Sequence, residues 1–69
     1  MTDQQVVGKI GRVTGAVRPG KTGEVMVPVR GSSEAFLAHG EGDETIAVGT
    51  RVVVVEYQPP RTVIVAPVL

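Results

Sequence analysis

Fifteen of the 69 residues are valine, and no stretch of the chain carries the apolar spacing of a helix. Valine is stiff at its β-carbon, packs well on a pleated surface and is only a middling helix former. Glycine and proline interrupt the valine runs at short intervals, as turns between short strands require. A chain of this kind folds as a small closed β-barrel.

Five strands are expected. The first runs from about Val6 to Val17. Its apolar rhythm slips between Ile10 and Val13, with Gly8, Gly11 and Gly15 around the slip. Glycine at such a place predicts a bulge or sharp bend. Arg18-Pro19-Gly20-Lys21 has the residues of a tight turn. The second strand, Thr22 to Arg30, alternates Val25, Val27 and Val29 against Glu24, Met26, Pro28 and Arg30. Pro28 on the outward set implies a position whose N–H is not needed, such as an edge. Gly31-Ser32-Ser33 turns the chain into a third strand, Glu34 to about His39. A polar loop, Gly40 to Glu44, and a turn at Gly49-Thr50 precede the fourth strand, Arg51 to Tyr57. Alternation there sets Val53, Val55 and Tyr57 against Val52, Val54 and Glu56, with both faces covered in the middle. Gln58-Pro59-Pro60-Arg61 turns into a fifth strand, Thr62 to about Ala66. The short connections have the spacing of a meander closing on itself.

Composition excludes several function classes. The chain has no cysteine, so no disulfide, thiolate nucleophile or cysteine-based zinc site is available. Seven basic and seven acidic residues cancel, leaving no general electrostatic pull on a polyanion. No apolar run approaches the length that spans a bilayer, and residues 1–5, read as a flexible tail, do not resemble a signal peptide. The expected product is a free soluble protein, or a soluble domain of something larger.

One motif has to be met directly. Gly15-Ala16-Val17-Arg18-Pro19-Gly20-Lys21-Thr22 matches the pattern of a phosphate-binding loop, and Val52 to Glu56 imitates the apolar strand ending in an acid. That chemistry requires the loop to open a helix, whose N-terminal N–H groups hold the phosphates. An alternating strand with a proline inside follows instead. The segment reads as a turn between strands one and two.

Other candidates are weaker. His39 is the only histidine and lacks a second ligand nearby in sequence. Glu41, Asp43 and Glu44 lack the spacing of a calcium loop and read as a solvated acidic segment. Ser32 and Ser33 have no evident base. Met26 has no companion lysine of the sort a carrier hairpin modifies. No catalytic, cofactor-binding or metal residue is therefore assigned, and no cofactor is expected. Phe36 and Tyr57 are the only aromatics, a poor platform for stacking bases. Tyr57 is expected at a barrel end with its ring packed and its hydroxyl wet. If Ala35 and Leu37 face the core, Phe36 lies outside and is the candidate partner-binding anchor.

The order of these elements resembles a known family. Val7-Gly8-Lys9-Ile10-Gly11, then Pro19 and Gly23 before Val25-Met26-Val27, then Gly31 and Glu34-Ala35-Phe36-Leu37-Ala38 follow its pattern. Ile46, Gly49-Thr50-Arg51-Val52-Val53-Val54-Val55 and Val63-Ile64-Val65-Ala66-Pro67 complete it. The chain is similar to the C-terminal soluble domain of NfeD-like proteins along almost its whole length. The resemblance implies an all-β, small five-stranded antiparallel OB-fold barrel over residues 6–69. It implies a domain of a membrane protein, on the cytoplasmic side, whose transmembrane region lies outside this chain. It also implies a non-catalytic protein-interaction module acting with stomatin- or flotillin-type scaffold proteins. The family often keeps tryptophan where Phe36 stands and a glycine-containing turn where Gln58-Pro59-Pro60-Arg61 stands. The alternative reading is an OB-fold that binds single-stranded nucleic acid, although no basic groove is expected.

Overall fold

Valine at every second position drives five strands, whose observed bounds lie close to the expected ones. In the computed structural model, which describes residues 6–68, β1 spans Ile10–Gly15, β2 Gly23–Val29, β3 Ser32–Gly40, β4 Arg51–Gln58 and β5 Thr62–Pro67. The expected tail, residues 1–5, lies outside the described residues. The strands close a barrel in the order β1-β2-β3-β5-β4.

This order differs from a meander. β3 and β5 pair in parallel, from Leu37 opposite Thr62 to Gly40 opposite Val65, while the other four pairings are antiparallel. The cause is the long connection 41–50. It crosses a barrel end, where Val17 and Ile46 exchange N–H···O bonds of 3.0 and 2.8 Å. The chain then enters β4 beside β1 rather than beside β3. β5 returns by a hairpin into the remaining gap.

The inward set is nearly uniform. Val13, Val25, Val27, Val52, Val54, Val63 and Val65 are buried, joined by Phe36 and Ala38. Val6, Val17 and Ile46 plug the ends from outside the strands. Burying so many short branched chains against one another is the main favourable term for a core this small.

The first strand is shorter than the sequence suggests. Lys9 N–H donates to the Val6 carbonyl at 3.0 Å, so residues 6–9 form a turn that precedes β1. Ile10 then faces outward and Gly11 takes the inward place. A β-carbon on Gly11 would lie 2.6 Å from the Met26 carbonyl oxygen. The apolar slip between Ile10 and Val13 therefore marks a close approach of two backbones, not the bulge itself. The bulge falls later, where Val13 pairs Val25 but Gly15 pairs Glu24.

Pro28 meets its expectation in a modified form. A closed barrel has no free edge strand, but β1 pairs β2 only as far as Arg12 opposite Met26. Pro28 lies beyond that point and is paired on the β3 side alone, with Ser33. The missing N–H is tolerated where β2 has outrun its neighbour.

Candidate functional site

The phosphate-loop pattern folds as a turn. Lys21 N–H donates to the Arg18 carbonyl at 2.9 Å, and Gly20 takes φ +75. Proline at the first central position and a positive φ at the second is type II geometry. β2 begins immediately afterwards at Gly23, so no helix N-terminus stands behind the loop.

The third strand presents the opposite face from the one expected. Phe36 is buried, with 3% of its surface exposed, while Leu37 is 52% exposed. The placement of Phe36 as an outward anchor is corrected by its pairing: it stands opposite Val25, a core residue. Residues directly opposite across antiparallel strands share a face. Leu37 stands opposite Glu24 and turns to solvent with it.

Both aromatic rings belong to one cluster at a barrel end. The fourth strand has a bulge between Val54 and Glu56, which resets its alternation. Tyr57 consequently pairs with the buried Val63 and packs against the core. Its ring meets Phe36 edge to face, with centroids 6.5 Å apart and planes at 88°. The Tyr57 hydroxyl, expected wet, lies in an exposed position and donates to the Pro60 carbonyl at 2.7 Å. Arg61 closes the cluster from outside. Its guanidinium lies 5.3 Å from the Phe36 ring centroid and donates to the Ala35 carbonyl at 2.6 Å. A weak surface ion pair to Glu34, 3.8 Å, completes its contacts. With both rings turned inward, the outer β2–β3 face offers no ring on which a base could stack.

The fourth strand's outer side departs from expectation as well. Val53 is half-buried and Val55 is 37% exposed, so the valine run is covered on its inner face only. Register places Ile10 opposite Val53 and Val53 opposite Ala66, a row across β1, β4 and β5. Val68, 40% exposed, extends it, with its N–H donating to the Arg51 carbonyl at 2.9 Å. These residues form an apolar outer face that no described segment covers. Sequence reasoning passed over it by treating both faces of the valine run as interior.

Polar chemistry is sparse. Among the described residues there is no group of three or more His, Asp and Glu side chains placed to hold a metal. His39 is exposed on β3, and Glu41, Asp43 and Glu44 lie exposed in the β3–β4 connection. Among the described residues no helix is long and apolar enough to cross a membrane.

Comparison with known proteins agrees with this architecture. The family model described as the NfeD C-terminal domain matches residues 10–66. The C-terminal domain of stomatin operon partner protein 1510-C from Pyrococcus horikoshii superposes with a TM-score of 0.80 at 28% identity, covering 100% of this chain and 97% of that one. The soluble domain of the NfeD protein YuaF from Bacillus subtilis gives 0.83 at 28% identity, over 94% of this chain and 76% of that one. The soluble domain of a Corynebacterium glutamicum membrane protein implicated in regulation of membrane protease activity gives 0.70 at 25% identity, over 93% and 94%. No curated protein matches the chain by sequence.

Proposed function

The chain belongs to the NfeD C-terminal domain family, and we propose that it is a non-catalytic module by which a membrane protein of that family binds a stomatin- or flotillin-type scaffold protein. One observation carries the reading: the uncovered row of Ile10, Val53 and Ala66, with Val55 and Val68 beside it. An apolar sheet face left in solvent is the usual mark of a protein contact. The barrel core is built mainly of valine, and among the described residues no polar or charged side chain is buried in it. The Pyrococcus relative is a stomatin operon partner protein, which supports the choice of scaffold. Phe36 enters this reading as a buried core residue rather than as a contact. Membrane association would come through a segment outside this chain, with the barrel on the cytoplasmic side.

The test is direct binding of the purified domain to the purified soluble part of a stomatin- or flotillin-type protein from the same organism, by calorimetry. Saturable binding is expected. Ile10→Glu and Val55→Glu each place a charge in the apolar face and should weaken binding more than about tenfold, or 1.4 kcal/mol. Leu37→Glu alters a comparably exposed apolar residue across β5 from the face and should leave binding unchanged. Absence of binding by the unmodified domain would refute the partner. Sensitivity to Leu37→Glu alone would refute the face. Tight binding of oligo-dT would favour the nucleic-acid alternative.

A further inference from the structure

Two arginines stand side by side on the barrel, with no acid between them among the described residues. Arg12 on β1 is directly opposite Arg51 on β4, and both are exposed. Directly opposed side chains in an antiparallel pair have β-carbons about 4.5–5.5 Å apart, and like charges there repel. Neither guanidinium has a carboxylate within ion-pair distance among the described residues. The nearest acid along the neighbouring strand, Glu24, instead accepts a 3.0 Å hydrogen bond from the Thr14 hydroxyl.

The pair borders a groove opened by the topology. The β1–β2 ladder ends at Arg12 and Met26, and Pro28 beyond it has no N–H to offer. The opening measures about 350 Å³ and is lined by Ile10, Arg12, Met26, Pro28, Ser33 and Arg51. Its walls are aliphatic, one end carries two cations, and Ser33 supplies a hydroxyl. Planar guanidinium groups match a carboxylate in fork geometry, and two of them can share one.

We infer that this groove binds an acidic peptide segment of a partner protein, taking an Asp or Glu carboxylate between Arg12 and Arg51 and an adjoining apolar side chain against Met26 and Pro28. Charge complementarity selects the occupant. The domain as a whole is neutral, so an extended phosphate-rich surface gains nothing beyond this local pair, whereas an acidic peptide offsets half of the pair's charge with one carboxylate and covers the aliphatic walls with the adjoining side chain. The inference rests on reading the barrel as a protein-interaction module, and it places the acid-recognising site at the border of the apolar face, since Ile10 belongs to both.

The test uses the isotope-labelled domain and the peptide acetyl-Glu-Leu-Glu-amide, followed by amide chemical shifts. Saturable shifts centred on Gly11, Arg12, Ser33 and Arg51 are expected, with a Kd on the order of 1 mM. The isosteric Gln-Leu-Gln peptide should produce none. Arg12→Gln and Arg51→Gln should each weaken binding at least tenfold while the melting temperature holds or rises, because the repulsion is relieved. Absence of shifts with the acidic peptide overturns the proposal, as does an equal response to the glutamine peptide. Inorganic phosphate binding more tightly at the same residues would assign the site to a lipid headgroup or nucleic-acid backbone and overturn it too. Peptide binding here without binding to the scaffold protein would sink that partner and leave this site standing. Scaffold binding unaffected by both arginine variants would sink this site alone.

Discussion

Truncation of Phe36 is the sharpest test of how this barrel holds together. The ring is 3% exposed and sits among the core valines. Replacing a buried Phe by Ala costs about 3–5 kcal/mol, from lost transfer energy and the cavity left behind. The site also loses its edge-to-face contact with Tyr57, worth about 0.5–1.5 kcal/mol beyond area. The Arg61 guanidinium above the ring loses a further ~0.5–1 kcal/mol of cation–π attraction. These terms overlap, so about 4 kcal/mol is the working figure. A domain of 69 residues has a total stability of about 3–10 kcal/mol. Phe36→Ala should therefore remove about 4 kcal/mol, which at the low end of that range unfolds much of the population at room temperature.

A conservative variant keeps the test quantitative where alanine fails to fold. Phe36→Leu retains most of the volume and loses the aromatic terms, for a cost of about 1–2 kcal/mol. Its neighbour Leu37 is 52% exposed, and Leu37→Ala should stay within ~0.5 kcal/mol. Urea unfolding followed by far-UV circular dichroism reads all three without relying on the Tyr57 signal, which the Phe36 variants perturb. Refutation would be Phe36→Ala and Leu37→Ala with equal, small effects. That result would mean β3 shows its other face to the core.

Two further outcomes follow from close contacts. At Gly23 a β-carbon would lie 2.5 Å from the Gly15 carbonyl oxygen and 2.6 Å from Val17 Cγ2. Gly23→Ala should cost at least ~2 kcal/mol in a urea melt, whereas Gly42→Ala, which meets open space, should be near neutral. Arg61→Ala removes the hydrogen bond to the Ala35 carbonyl and uncovers the Phe36 ring, so a loss of about 1–2 kcal/mol is expected. Glu34→Gln removes only the 3.8 Å surface pair and should change stability by less than about 0.5 kcal/mol in the same melt.

The second strand was fully legible because its valines alternate with polar residues and only one face can be inside. The third was not, because each of its faces carries one large and one small apolar residue: Phe36 with Ala38, Leu37 with Ala35. The hairpin turn decides between them. It is a two-residue turn with Arg30 at φ 53 and Gly31 at φ 82, which pairs Val29 with Ser32 and hence Val25 with Phe36. Positive φ at both central residues is type I′ geometry, and glycine at the second of them is its sequence signal. Reading the turn as Gly31-Ser32-Ser33 shifts the pairing by three residues, an odd number, and so reverses every side chain of β3. The bulge in β4 left no signal, because one valine among four identical ones does not announce itself as the extra residue. That bulge is what turns Tyr57 inward beside Phe36. The parallel β3–β5 pairing was hidden in the connection 41–50, whose polar composition reveals its length but not its path.

The same uniformity that conceals the bulge also limits where function can reside. An interior built of valine has no polar atom to bind or react with, and the described residues bury no polar or charged side chain. Selectivity must then come from the outer surface. There the residues that break the valine rhythm cluster where β1 lies between β4 and β2: Ile10 turned outward, Gly11 against the Met26 carbonyl, and Arg12 facing Arg51. Repulsion between two adjacent arginines destabilises a small barrel, and replacing either by a neutral residue would relieve it. A carboxylate from a partner would relieve it as well. The unfavourable charge pair in the free domain thus becomes a source of binding energy in the complex, in the part of the sheet where the apolar face ends.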